Sequence, residues 1–307
     1  MSSETHETTT RRTAAEPGTV FLVGDVFAEF AAHAGVMTVS QLARQIRKGA
    51  FPSGTGAASV MLGQGVSPFD VEFVRDTLAR RGLTDAVVID DRALRDRAGR
   101  EIAHKHRAEN VLISLPRRTG PGSFESDLLV DSGNEVMSDH LTGQHMQGML
   151  AMEAGRQMFI AVAEQHYLPP EAVGNSYFVI DTFATRYRNF LFPLPATVRC
   201  EVLSHRSPHR TRMTFSCELA VLQGGGETAV MEVGFTAFDT QVSHAKETRA
   251  AERSLRATAA VLAAAKGPEP AEEPPADLKK EPPTCQMPAA GRTQTAPTWS
   301  SVTSTRP

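Results

Sequence analysis

The sequence predicts an α+β protein in which a long, mostly apolar helix is wrapped by an antiparallel sheet, behind a small β-α-β-α-β unit. Three observations predict it. Residues 139–159, DHLTGQHMQGMLAMEAGRQMF, pass from a polar loop into a helix crowded with apolar and small side chains. Four segments rich in β-branched and aromatic residues follow: YFVIDTFATRYRNFLF, TVRCEVLSHR, RTRMTFSCELAVL and ETAVMEVGFTAFD. Ahead of residue 100, short apolar runs alternate with helix-forming stretches.

Residues 1–18 are polar and threonine-rich, the composition of a flexible tail. A small α/β domain is expected over residues 19–100. Val20 to Asp25 reads as a strand, followed by helix-like segments through Ala34 and from Ser40 to Lys48. Ser59 to Leu62 is a second strand. Ser67 is then a good N-cap, Pro68 suits the first helical position, and Asp70 and Glu72 favour the first turn. Gly82 is the expected C-cap, and Ala86 to Ile89 the third strand. Gly63 and Gly65 before a helix have the ingredients of an anion site. Neither GxGxxG nor GxxxxGK[ST] is completed, however, and the Gly54-Thr55-Gly56 cluster precedes a strand. A plain strand–helix turn in a structural or interaction module is the better account.

In the next domain, residues 101–242, a strand from Phe124 to Val130 comes before the helix. After it the strands are separated by Pro193 and Pro195, by Ser207 to His209, and by Gly224 to Gly226. Thr214 to Val221 alternate with period two, as a half-buried strand does. Strand, long helix and four antiparallel strands is the order of a hotdog fold. Residues 243–307 turn alanine- and proline-rich and are expected to be disordered, with a short helix from Arg249 to Lys266. Cys285 and Trp299 lie there without assigned chemistry.

Composition excludes several function classes. The 307 residues are 41% apolar and 22% charged, and a net charge of −3 exerts no global pull toward nucleic acid or anionic membrane. Three cysteines without CxxC spacing argue against a disulfide framework; Cys200 and Cys217 are expected to pack as small hydrophobes. No apolar run approaches the ~18 residues of a membrane span. The N-terminus lacks the apolar core of a signal peptide, so a cytoplasmic location is expected.

The chemistry-bearing residues cluster around the long helix. At about 100° per residue, Leu150, Ala151, Ala154, Met158, Phe159, Ala161 and Val162 form a broad apolar side. Glu153, Arg156, Gln157 and Glu164 share the remaining stripe with Met149 and Ile160. That stripe faces either water or a substrate. His145 precedes the helix entry. His140 and Asp139 make only a loose group with it, lacking the spacing of a zinc helix, so no metal and no cofactor are expected. Gly148 is reasonable at the entry if a ligand approaches the first amides, which carry the positive end of the helix dipole. Glu153 is placed to accept a proton, with burial raising its pKa and Arg156 opposing. Arg156 offers paired donors to a phosphate or carbonyl. A Glu–Arg pair that only fixes the helix is the other reading. Tyr187 and Arg188 alternate in a strand, so at most one is expected to line a pocket.

Three runs carry a family resemblance: HKHRAENVLI from His104 to Ile113, QHMQGMLAMEAGRQ from Gln144 to Gln157, and FATRYRNFLF from Phe183 to Phe192. Over roughly residues 103–240 the chain resembles the A-factor biosynthesis hotdog family, which starts γ-butyrolactone signal synthesis in actinomycetes. It departs in two ways. The family's His-Val-Pro-Gly-Met becomes His145, Met146, Gln147, Gly148, Met149, and one hotdog repeat is found where the typical member has two. The resemblance implies ester formation between a β-ketoacyl thioester on acyl carrier protein or coenzyme A and dihydroxyacetone phosphate or a similar acceptor. Glu153, Arg156 and His145 match the catalytic positions and Gly148 and Met149 the substrate-binding ones. Lys105 and Arg107 contact a phosphopantetheine or carrier phosphate on that reading; on the other they are a solvated basic face. Thioester hydrolysis or β-hydroxyacyl dehydration on the same fold, and non-catalytic acyl binding, are the alternatives. A single hotdog leaves an open sheet edge, so a homodimer is expected.

Overall fold

The computed structural model describes residues 19–52, 58–139, 142–209 and 212–265. Residues up to Glu252 form one compact unit, and those from Arg253 a second. Among the described residues, the strands make two sheets.

The N-terminal sheet is parallel. Its strands are β1 (Thr19–Val23), β2 (Val36–Thr38), β3 (Ala58–Leu62) and β4 (Val87–Asp90), in the order β2-β1-β3-β4. The stretch expected to be helical through Ala34 holds two short 3-10 turns, Asp25–Phe27 and Phe30–Ala32. Strand β2, three residues long, was not expected; no period can show in so short a run. Helix α1 (Val39–Lys48) starts with a reciprocal Thr38–Gln41 capping box, and α2 (Pro68–Ala79) with the same device from Ser67 and Asp70. The C-cap of α2 is Arg80 in right-handed conformation rather than Gly82, which lies two residues beyond. A short α3 (Arg92–Arg95) follows β4.

The second sheet is antiparallel, in the order β5-β6-β8-β9-β10-β7. It comprises β5 (Arg117–Gly120), β6 (Ser123–Asp127), β7 (Ser176–Tyr187), β8 (Thr197–His209), β9 (Arg212–Gln223) and β10 (Gly226–Asp239). Strand β5 is an addition to the expected set, and β6 ends at Asp127 rather than Val130. Between β6 and β7 come α4 (Glu135–Asp139) and the long helix α5 (Gly148–His166). The sheet wraps α5, as a hotdog requires. Leu150, Ala154, Met158, Phe159 and Val162 are buried against it, and Phe159, Phe235 and Phe215 stack in series with centroid spacings of 4.4 and 4.7 Å. The stripe expected to be polar is covered in its second half, where Gln157, Ile160 and Glu164 are at most 2% exposed, while Glu153 and Arg156 are partly buried and Met149 is exposed. A final helix, α6 (Thr240–Ala265), begins nine residues before the expected Arg249. The Asp239 carboxylate accepts the Gln241 amide at 3.0 Å, capping its first turn directly off β10.

The two sheets share apolar packing. Val23, Phe27, Phe30 and Ala31 lie in the same core as α5, and the Phe30 ring stacks on Phe192 at 5.5 Å. The loop after β3 makes the polar part of the joint. Gln64, 2% exposed, donates from its side chain to the carbonyls of Leu128 (3.0 Å) and Leu194 (3.2 Å) and accepts the Val130 amide (2.7 Å). Its own amide donates to Pro193 at 3.0 Å, and that of Gly65 to Val130 at 2.8 Å. A β-carbon on Gly63 would fall 2.3 Å from the Pro193 carbonyl, so only glycine admits this approach. The turn with the ingredients of an anion site spends its Gln64 and Gly65 amides on the hotdog backbone and its Gly63 amide on Leu22. The Gly54–Gly56 cluster lies outside the described residues.

Candidate functional site

The chain enters α5 under local restraint. Thr142 Oγ1 accepts the His145 amide at 3.0 Å, and the Met146 amide donates to Leu191 at 2.8 Å. The His145 ring sits against Phe190 at 4.8 Å between centroids. His140 lies outside the described residues. Gln147 occupies the N-cap, yet no side chain caps the helix; its amide group donates to the Val136 carbonyl instead. The first turn of α5 therefore presents its amides without a capping side chain.

A cavity of about 600 Å3 opens there, lined by His145, Met146, Gly148, Met149, Ala151, Tyr187, Arg188, Asn189, Phe190, Leu191, Thr228 and Ala229. Three expected residues, His145, Gly148 and Met149, are among them. Tyr187 and Arg188 both line it, against the expectation that at most one would. Strict alternation stops at Tyr187, where β7 ends, and Arg188 is free to turn the same way. The reason for Gly148 also differs. A β-carbon there would meet the Tyr187 ring at 2.7 Å, so the glycine makes room for a tyrosine of the same chain. Burial pushes the Tyr187 hydroxyl above its usual pKa.

Glu153 and Arg156 do not line that cavity. They lie further along the helix, about one and two turns beyond Met149. Glu153 Oε1 receives Lys105 Nζ at 2.6 Å, Arg156 Nη2 at 2.9 Å and Gln157 Nε2 at 2.9 Å, while Oε2 receives Arg156 Nε at 2.8 Å. Burial alone would raise this carboxyl's pKa, but Arg156, then Lys105 and Gln157, outweigh it and hold it at about 2. The expected upward shift is thus reversed. Ionised and fully bonded, Glu153 orients two cations more readily than it accepts a proton. Gln157 continues the network, accepting the Leu112 amide at 2.8 Å and donating to the Asn110 carbonyl at 2.9 Å.

Lys105 is therefore brought to α5. Arg107 is not: it pairs with Glu109 and with Glu135 of α4. A contact missed in the sequence is His104 Nε2 to Glu164 Oε1, 2.9 Å, with Gly174 donating to the other oxygen at 2.9 Å. His104 adopts a left-handed φ of 52° to reach it. An imidazole and a carboxylate 60 positions apart carry no local signal. Among the described residues no three of His, Cys, Asp and Glu converge as a metal site would need.

No curated protein matches the chain. Among solved structures it is similar to a thioesterase variant from Pseudomonas aeruginosa, with 11% identity, 44% of this chain and 87% of that one covered, and a TM-score of 0.33. A conserved protein from Pseudomonas aeruginosa shares 18% identity over 40% and 86%, TM-score 0.28. A thioesterase from Haemophilus influenzae shares 12% over 42% and 79%, TM-score 0.29. The family model of the A-factor biosynthesis hotdog domain matches residues 89–239, starting 14 residues ahead of the resemblance read from the motifs. With the wrapped helix, the strand order and this match together, residues 89–239 are a hotdog domain of the A-factor biosynthesis type.

Proposed function

We propose that the protein transfers a β-ketoacyl group from a pantetheine thioester, on acyl carrier protein or coenzyme A, to a hydroxyl of dihydroxyacetone phosphate or a similar phosphorylated acceptor. The observation that carries this reading is the pairing, on successive turns of α5, of an apolar cavity with a cationic cluster. The cavity, walled by Met146, Met149, Phe190 and Leu191, suits an acyl chain. Lys105 and Arg156, two cations sharing the single carboxylate of Glu153, retain a positive charge for a phosphate.

In the reaction the acceptor hydroxyl attacks the thioester carbonyl, the carbon–sulfur bond breaks, and the thiol leaves with the proton that the hydroxyl gives up. Amides of the first turn of α5 face the region where the carbonyl oxygen gains charge. His145, at the cavity wall, is the group placed to carry the proton from hydroxyl to sulfur. Glu153 holds Arg156 and Lys105 in place.

The protein acts as a homodimer on this reading. The N-terminal sheet docks on the chain leaving β6 and the chain entering β8, and β7 stands at the sheet edge with Tyr177, Val179 and Ile180 exposed.

Purified protein incubated with a β-ketoacyl carrier protein, with and without dihydroxyacetone phosphate, tests the reading through thiol release. Release that needs the acceptor is expected. Release without it would make the protein a thioesterase, and none at all an acyl-binding protein.

A further inference from the structure

At the rim of the helix-entry cavity two arginines share one carboxylate. Arg188 Nη1 lies 2.9 Å from Glu227 Oε2, and Arg199 Nη2 lies 3.5 Å from Glu227 Oε1. Two positive charges against one negative leave the cluster with a surplus positive charge. The Arg188 backbone is fixed by its amide, which donates to Thr228 at 2.8 Å, while its side chain is 55% exposed at the mouth. Inward from it the wall is apolar, with Met146 and Leu191 buried; outward, Met149 is 55% and Phe190 67% exposed. A cavity apolar within and cationic at its rim suits a ligand with an apolar end and an anion further out.

We infer that Arg188 is a specificity-determining residue that binds the phosphate on the pantetheine arm of the thioester, with Glu227 aiming its guanidinium and Arg199 reinforcing the charge. The inference rests on the acyl-thioester reading above and adds how the donor is recognised. A guanidinium offers paired, planar donors to phosphate oxygens, and such charge-assisted bonds are strong where an acyl chain already anchors the ligand. It also separates the two phosphates of the proposed reaction: the donor's at Arg188, the acceptor's at Lys105 and Arg156 further along the helix.

The test compares two ligands that differ by one phosphate, an S-alkyl 4′-phosphopantetheine and the S-alkyl pantetheine of the same chain length, by calorimetry. The protein is expected to bind the phosphorylated one roughly tenfold more tightly or better. Arg188→Ala should abolish that preference and leave affinity for the unphosphorylated ligand unchanged, and Arg188→Lys should restore part of it. Glu227→Gln, which removes the competing charge, should widen the preference; a merely structural ion pair would not do so. The same alkyl group on coenzyme A and on carrier protein identifies the source, by which conjugate suffers from Arg188→Ala. A loss with neither, equal affinity of the two small ligands, or an equal drop for both in Arg188→Ala overturns the inference alone. Failure of the unphosphorylated ligand and the phosphorylated one alike to bind overturns the acyl-thioester reading with it.

Discussion

The phenol ring of Tyr187 lies where a β-carbon on Gly148 would have to be, 2.7 Å from that position at its nearest atoms. The last residue of β7 and the first of α5 thereby close one side of the cavity together. Gly148→Ala should push the ring outward, which its 54% exposure permits. Helix propensity favours alanine by up to about 1 kcal/mol, so stability should stay within about 1 kcal/mol of the wild type. Acyl-thioester affinity should change, because the wall moves. Chemical denaturation and calorimetry on the same variant check both; unchanged affinity would contradict the placement of Tyr187.

Glu153 gives a prediction in pH. Its carboxyl is held at about 2 in the fold against an ordinary 4.5, so the stabilisation is present above about 4.5 and is lost as pH falls toward 2. The full shift corresponds to an effect on the order of 3 kcal/mol. Thermal unfolding of Glu153→Gln should lose this share of the acid dependence, giving a flatter curve than wild type between pH 5 and 3. Turnover should fall through the acceptor, as a raised KM for the phosphorylated substrate. A collapse of kcat with KM unchanged would instead make Glu153 the base.

Arg156→Lys should follow the same division. A lysine loses the two parallel bonds to Glu153 at 2.8 and 2.9 Å and the planar fork that a phosphate can share. The acceptor's KM should rise more than the donor's; equal changes for both substrates would count against an acceptor site here.

Gln64→Ala should destabilise the chain by roughly 2–4 kcal/mol, since it strands the Leu128 carbonyl and the Val130 amide in a buried joint, while the Leu194 carbonyl keeps the Gln223 side chain as a donor. Urea denaturation measures it. A loss below about 0.5 kcal/mol would show that water satisfies these groups.

The homodimer predicts a light-scattering mass of twice 33.2 kDa at micromolar protein. Ile180→Lys on the β7 edge should shift the mass toward the monomer. A wild-type monomer that turns over substrate would remove the dimer from the proposal.

What could be read in the sequence tracks how local each determinant is. Helix α5 and the alternation of Thr214 to Val221 in β9 are long enough for their periods to show, and the Ser67 cap of α2 lies within three residues of its partner. Met149 and Gly148 were found because the helix entry is a local motif. Tyr187 and Arg188 were read only as alternatives, since strand alternation says nothing about the residue after a strand ends. The balance at Glu153 escaped because Arg156, read as opposing burial, is joined by Gln157 and by Lys105 from 48 positions upstream, and together they outweigh it. Gln64 looked like part of a turn, and its partners lie up to 130 positions away.

That last separation has a consequence for the order in which the molecule can be made. The N-terminal sheet leaves the ribosome first, but the acceptors of Gln64 lie 64 and 130 residues downstream. At roughly 5–20 residues per second, the loop after β3 waits about 6 to 26 s with its polar groups unmet and its apolar neighbours uncovered. Until Leu194 emerges, the nascent chain holds an unfinished joint, and that interval is when it is most open to capture by a chaperone or to association with another chain.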